Sequence, residues 1–402
     1  MASASAARRV AHRVLVRVFD EGAYADRAFA AEAAELDARD RAFAQRSAYG
    51  AIQRVRTLDH ALETIGGRPV SDLDVPVRAA LRLGAYELGF LDGVPARASV
   101  NEGVELVRAS GASRATGLVN AVLRRVAERI GPLLAALPEG TAGEAALRHS
   151  FPDWIAETWW REWGADEARA LMRAQNEPPE MAYRVVGTGE ARVVERIDPR
   201  EVEQGRVWPQ SRGSQLAGQA VGAEPGDRVL DLCAAPGGKT TQLAERAGEV
   251  VAVEIHPGRA KQLEQAVRPL GLENVTVVNA DARALPPELT GFDRVLVDAP
   301  CSGLGVLASR PDLRWRAQPL PELQLELLGV AAERLRPGGS VTYSVCTIAA
   351  AENEDVVDVS GLQVEPLGDK WPEFAHPRRP EFLLTLPQKH RTAGFFVANL
   401  RP

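Results

Sequence analysis

The stretch at residues 228–240 limits what this chain can fold into more than any other. Val229, Leu230 and Leu232 form a short apolar run directly after the turn signal Glu224-Pro225-Gly226-Asp227, the pattern of a buried strand. Cys233, Ala234, Ala235 and Pro236 follow, then Gly237 and Gly238. Lys239-Thr240-Thr241-Gln242-Leu243-Ala244 next has helical composition. Strand, glycine turn and helix opening together place a nucleotide-type ligand at the carboxyl end of a parallel strand. Gly237 and Gly238 let the backbone approach such a ligand closely, and the helix start offers N–H groups. Two familiar loops fail on spacing. A Walker A loop requires glycine where Cys233 stands, and a dinucleotide fingerprint requires G-x-G-x-x-G, which this run lacks.

Around this stretch the chain reads as two regimes. Residues 1–130 carry only helical spacing: Val10, Val14, Leu15 and Val18, then Phe43, Ala44, Ala48 and Ile52, with Leu58, Leu62 and Ile65 continuing to Gly66-Gly67-Arg68-Pro69. Further helices are expected at 77–90, 100–106 and 115–130. Pro132, Pro138, Gly140 and Gly143 mark a linker, followed by a tryptophan-rich helix (Trp154, Trp159, Trp160, Trp163), a helix at 165–174 and a strand at 183–186. From Arg228 strand and helix alternate, with strands expected at 250–254, 275–279, 292–298, 340–345, 382–386 and 395–400 and helices at 257–269 and 321–335. Such alternation predicts a doubly wound parallel sheet. The division is a helical domain at 1–135, a linker and small subdomain at 136–222, and a catalytic domain at 223–402.

Charge is unevenly placed. Residues 1–140 hold 19 Arg against 17 Asp+Glu, and the remainder holds 29 Lys+Arg against 37 Asp+Glu, within a net charge of −6. A bulk polyanion trap would be more basic, so nucleic-acid contact must rest on local clusters. Arg8, Arg9, Arg13 and Arg17 nearly share one helix face, and Arg124, Arg125 and Arg129 form a second cluster; solvated faces are the bland reading of both. No apolar run approaches a membrane span, and residues 1–10 lack the apolar core of a signal peptide, so a cytoplasmic protein without membrane contact is expected. Cys233, Cys301 and Cys346 show no metal-type spacing, and no metal is expected. A monomer is expected.

Asp231-Leu232-Cys233-Ala234-Ala235-Pro236-Gly237-Gly238-Lys239-Thr240 resembles motif I of S-adenosylmethionine (SAM) methyltransferases, in the wording of the RNA cytosine-C5 branch. Asp298-Ala299-Pro300-Cys301-Ser302-Gly303 resembles motif IV of that branch, with Gly305-Val306-Leu307, Arg310-Pro311-Asp312 and Arg314-Trp315 extending the match. Tyr343-Ser344-Val345-Cys346-Thr347, followed by Glu352-Asn353-Glu354, resembles motif VI, with Val345 where the family commonly has Thr. Residues 77–88 and 117–125 look like the NusB-type RNA-binding domain. The segment at 151–186 is similar to the small RNA-binding segment before the catalytic domain of these enzymes, with Val186 where they usually carry Asn. Gly394-Phe395-Phe396 is also found near the family's end. Over nearly its whole length the chain thus resembles the Sun/Fmu-type (RsmB) bacterial 16S ribosomal RNA cytosine-C5 methyltransferases.

The resemblance implies an all-α NusB-like bundle followed by an α/β Rossmann-like class I SAM-dependent methyltransferase domain, with RNA as partner and SAM as cofactor. Cofactor contacts are expected from Cys233, Ala234, Ala235, Pro236, Gly237, Gly238 and Lys239. Glu254 is expected on the ribose hydroxyls, Asp281 on the adenine amino group, and Asp298 near the methionine end and the cytosine edge. Cytosine C5 is too weak a nucleophile to take a methyl group directly; a thiolate adding at C6 makes C5 enamine-like. The resemblance makes Cys346 that nucleophile and Cys301 the group that assists release, with Lys239 and Asp298 in support. DNA cytosine-C5 enzymes use the Pro-Cys cysteine as nucleophile, so the swapped roles stay open. The rivals are the same chemistry on tRNA or another RNA, and a non-catalytic RNA-binding assembly or antitermination factor. The intact Cys301, Cys346, Asp298 and glycine loop speak against the second.

Overall fold

The computed structural model describes residues 4–402, which form two compact units. Of the described residues, one unit comprises 4–176 with 307–316, and the other 177–306 with 317–402. The expected middle segment is therefore divided at Asn176/Glu177.

The first unit is helical. Its helices span Ala6–Phe19, Ala25–Glu32, Ala38–Gln53, Val55–Gly66, Val75–Phe90, Ala96–Ala109 and Thr116–Ala136, followed by Ala142–His149, Asp153–Trp163 and Ala165–Ala174. Val10, Val14, Leu15, Ile52, Leu58, Leu81, Leu123 and Val126 meet in one core, one stripe from each amphipathic helix. Gly50 lies against the Tyr86 ring, where a Cβ would sit 1.9 Å from ring atoms, so two helices cross closely there. The helix expected to end at 130 continues through Pro132 to Ala136. Proline deletes one backbone donor, but Leu133 and Leu134 pack onto the core and hold the last turn in place. Gly143 is likewise helical: Thr141 and Glu144 make a reciprocal capping box that opens Ala142–His149. Trp159 is fully buried with its ring 5.3 Å from Phe151, which makes it a core residue of this unit.

Residues 307–316 complete the helical unit although they follow the Pro-Cys motif in sequence. The Arg314 guanidinium is fully buried: Nη1 donates to Gln53 O (3.1 Å), Ser150 O (3.0 Å) and Asn176 Oδ1 (3.0 Å), and Nη2 donates to Gln175 O (3.2 Å). Its face lies 4.1 Å from the Phe151 ring centroid. Trp315 Nε1 donates to Ile52 O at 2.8 Å.

The second unit opens with a small antiparallel sheet of β1 (Ala182–Val185), β2 (Ala191–Val193) and β3 (Val207–Pro209), ordered β2-β1-β3. The main sheet comprises β4 (Arg228–Asp231), β5 (Glu249–Val253), β6 (Val275–Val278), β7 (Phe292–Asp298), β8 (Leu335–Val345), β9 (Gln363–Glu365), β10 (Leu383–Thr385) and β11 (Phe395–Arg401). Its order is β10-β11-β8-β7-β4-β5-β6, with β9 also on β11. Strands β4 to β8 pair in parallel and β11 is antiparallel to β8. The chain moves outward from β4 to β5 and β6, then returns across β4 to β7 and β8. That reversal puts a topological switch point between β4 and β7, where ligand crevices open in such sheets. β8 begins five residues before its expected start, because Pro337-Gly338-Gly339 is taken up as an irregularity in the β7–β8 register.

Candidate active site

The switch point brings Asp231 and Asp298 to the ends of adjacent strands. Asp231 is buried; its Oδ2 accepts from Thr240 Oγ1 at 2.7 Å, while Oδ1 is buried without a partner among the described residues. Burial pushes its carboxyl up to about 7, against the opposing pull of the Thr240 hydrogen bond. The glycine turn follows. Gly237 has φ +111°, and a Cβ there would lie 2.5 Å from Leu263 Cδ1. A Cβ on Gly238 would lie 3.1 Å from Trp208 Nε1, so β3 presents an indole to the turn. Burial pushes the Cys233 thiol up, with Asp231 adding to the effect. Its side chain is an inert one, and its backbone is what remains to line a ligand.

Glu254, just past β5, is buried; Oε1 accepts from His256 N (2.8 Å) and Oε2 lies 3.5 Å from Arg259 Nη1. Arg259 Nη2 donates to Ala235 O at 2.7 Å, tying the glycine loop to the end of β5. Asp281 lies after β6 and accepts from Arg283 N (2.9 Å) and from its guanidinium (2.7 and 3.1 Å), which lowers the carboxyl. Its oxygens are thus engaged by a neighbour, and an adenine contact requires sharing or displacing that pair.

Lys239 is nearly buried. Its Nζ donates to Asp298 Oδ2 at 2.8 Å and sits 4.7 Å from the Phe395 ring centroid, while Ser344 Oγ donates to Asp298 Oδ1 at 3.1 Å. The loops after β7 and β8 then place Cys301 Sγ 3.4 Å from Cys346 Sγ. The hydrogen bond between the two thiols lowers that of Cys346, and the same bond together with burial raises that of Cys301 well above its ordinary value. Lys239 also acts on Cys346 through its charge, lowering it, while Asp298 opposes.

Backbone contacts fix this geometry. Gly305 N donates to Cys346 O (2.9 Å), and Gly394 N donates to Gly305 O (2.8 Å). A Cβ on Gly305 would lie 2.1 Å from Gly394 O, so glycine is required at that crossing. The structure therefore gathers Lys239, Asp298, Cys301 and Cys346 around the ends of β7 and β8, and Glu254 and Asp281 beyond β5 and β6. The orphaned oxygen of Asp231, the indole of Trp208 and the buried Glu352 carboxylate were not singled out as site residues. Asp231 and Glu352 stand in the strings that resemble motifs I and VI, which is the signal that points to them; Trp208 has no periodic or spacing signal.

The helical arginines divide. Arg8 Nε donates to Glu87 Oε1 (2.7 Å), and Arg13 and Arg17 pair with Glu32. Arg124, Arg125 and Arg129 are exposed, with no ion pair among the described residues. No helix among the described residues is long and apolar enough to cross a membrane.

Residues 219–401 match the family model described as 16S rRNA methyltransferase RsmB/F, and residues 5–128 match the NusB family model. The ribosomal RNA small subunit methyltransferase B of Thermus thermophilus is 37% identical, the match covering 79% of this chain and 78% of that one. The protein of the same name from Vibrio cholerae is 30% identical over 98% of this chain and 96% of its own. Among solved structures, PH0851 superposes with a TM-score of 0.80 at 24% identity, covering 98% of this chain and 99% of that one. A methyltransferase homologue from Pyrococcus horikoshii superposes with a TM-score of 0.56 at 25% identity, covering 66% and 99%. This chain belongs to the ribosomal RNA small subunit methyltransferase B family, a methyltransferase fold behind a NusB-family helical domain.

Proposed function

We propose that this protein transfers a methyl group from SAM to C5 of a cytosine in 16S ribosomal RNA through a covalent cysteine–C6 adduct. The observation that carries this reading is the 3.4 Å thiol pair beside the Lys239–Asp298 ion pair, at the carboxyl edge of the parallel sheet. SAM supplies an electrophilic methyl group on a sulfonium. The residues at the switch point fit it: the Gly237–Gly238 turn leads from the end of β4 into the next helix, the Asp231 Oδ1 is buried without a partner among the described residues, and Glu254 offers a carboxylate at the next strand end. Ribosomal RNA as the substrate class rests on the named relatives and on the exposed Arg124, Arg125 and Arg129.

The chemistry follows from the pair. Cys346, whose acidity the hydrogen bond increases, adds as thiolate to C6. Asp298 and Lys239 hold the N3/N4 edge of the base, and C5 then attacks the methyl group. C5 now carries both the methyl group and its original proton. Cys301 passes its own proton along the 3.4 Å hydrogen bond to the sulfur of Cys346 as it leaves and takes the C5 proton in its place. The C5–C6 double bond re-forms, and the one proton released overall is the one Cys346 loses to solvent on becoming a thiolate. Cys346→Ala is expected to lose essentially all turnover and to trap no RNA. Cys301→Ala is expected to methylate and then stall as a protein–RNA complex that survives denaturing electrophoresis. Trapping by Cys346→Ala alone would exchange the two roles, and two fully active variants would sink the covalent mechanism.

A further inference from the structure

The backbone on both sides of Cys301 is anchored to one buried side chain. Glu352 is fully buried. Its Oε1 accepts from Ser302 N (3.0 Å), Leu320 N (3.0 Å) and Gln324 Nε2 (2.9 Å), and its Oε2 accepts from Ser302 Oγ. Gln324 Nε2 also donates to Pro300 O at 3.0 Å. The carbonyl before Cys301 and the amide after it are therefore held by the same carboxylate, one directly and one through Gln324. The other cysteine loop is joined more lightly: Ser302 Oγ lies 3.0 Å from Thr347 Oγ1, and the Glu352 carbonyl accepts from Tyr343 Oη at 2.6 Å. Cys346 itself is placed by β8 and by the Gly305 N–H on its carbonyl.

We propose that Glu352 is a positioning residue that fixes Cys301 for the release step, leaving addition by Cys346 largely intact. The proposal rests on the cysteine roles given above. Its physical basis is the donor count: three N–H groups and one O–H converge on two oxygens, and only a carboxylate offers acceptors alone. A carboxamide brings N–H groups of its own against these donors, so at least one buried group goes unmatched and the Cys301 loop shifts. Proton abstraction from C5 depends on that position, and a misplacement of about 1 Å costs on the order of 100-fold in rate.

The test uses the full chain with SAM and an unmodified 16S rRNA transcript, comparing Glu352→Gln, Ser302→Ala and Cys301→Ala. Glu352→Gln should lose roughly 10–100-fold in turnover, retain methylation in a single turnover, and accumulate covalent complex on denaturing gels. Ser302→Ala removes the hydroxyl's bonds to Glu352 and to Thr347 but leaves the three N–H bonds on the carboxylate, and should shift the same two readouts less. Unchanged turnover in Glu352→Gln, or lost turnover without trapped complex while Cys301→Ala does trap, overturns the proposal. Should Glu352→Gln fail to fold by thermal melting, Ser302→Ala decides, and no accumulation there also overturns it. If Cys301→Ala itself traps nothing, the cysteine roles are wrong and the proposal falls with them.

Discussion

Arg314 in the helical unit and Asp231 in the sheet unit are both fully buried and ionisable, yet they are treated in opposite ways. Arg314 meets three carbonyls and an amide oxygen and stacks on Phe151. Asp231 Oδ2 accepts from one hydroxyl, and Oδ1 has no partner within hydrogen-bond geometry among the described residues. Each keeps one buried atom without a hydrogen-bond partner among the described residues, Arg314 Nε and Asp231 Oδ1, but Arg314 meets four acceptors and Asp231 one donor. A buried charge with most of its hydrogen bonds made is part of the architecture; one left largely unmade is a place where a ligand gains by binding. The same contrast separates Arg8, closed onto Glu87, from the open Arg124 and Arg125.

Removing the two buried groups should therefore act in opposite directions. Arg314→Ala leaves four acceptors without a donor and should destabilise the helical unit by about 3–5 kcal/mol. Urea unfolding followed by circular dichroism reads this directly; a loss under 1 kcal/mol would show that the acceptors find water. Asp231→Asn should instead stabilise the cofactor-free protein above pH 7. Burial raises the carboxyl to about 7, so its neutral form is the one the fold favours. The resulting contribution is present in full below the unfolded value near 4 and is lost as pH rises through about 7, up to roughly 4 kcal/mol. Melting temperatures from pH 4 to 8 should fall less steeply in Asp231→Asn than in wild type, and parallel curves would remove Asp231 from the comparison. The smallest effect on stability is expected from Arg124→Glu with Arg125→Glu, within about 0.5 kcal/mol. RNA binding by that double variant should weaken and lose salt dependence, because phosphate contacts release counterions. A wild-type salt slope would make these arginines a solvated face.

Much of the sheet unit was legible because its signals are local. The strand at 292–298 occupies the residues expected of it, and the glycine turn sits at the end of β4 as its composition required. Helix existence in the first unit follows from 3.6-residue spacing, while its ends do not: Pro132 reads as a stop, and the packing of the partly buried Leu133 and Leu134 on the core overrides it. Asp281 followed from its place after a strand, but its engagement by Arg283, two residues on, is a side-chain choice that no spacing reveals.

By itself the chain's order determined which backbone could turn, which strands were buried and which residue types the chemistry had available, because strand, turn and helix preferences act over a few residues. Only the tertiary structure decided that Cys301 and Cys346, 45 positions apart, share one hydrogen bond. It alone assigned residues 307–316 to the helical unit and gathered donors from residues 302, 320 and 324 onto Glu352. These are pairings of polar atoms across strand ends and helices, set by sheet order and burial. A one-dimensional pattern of apolar residues records which side chains leave water, but not which donors they meet once inside.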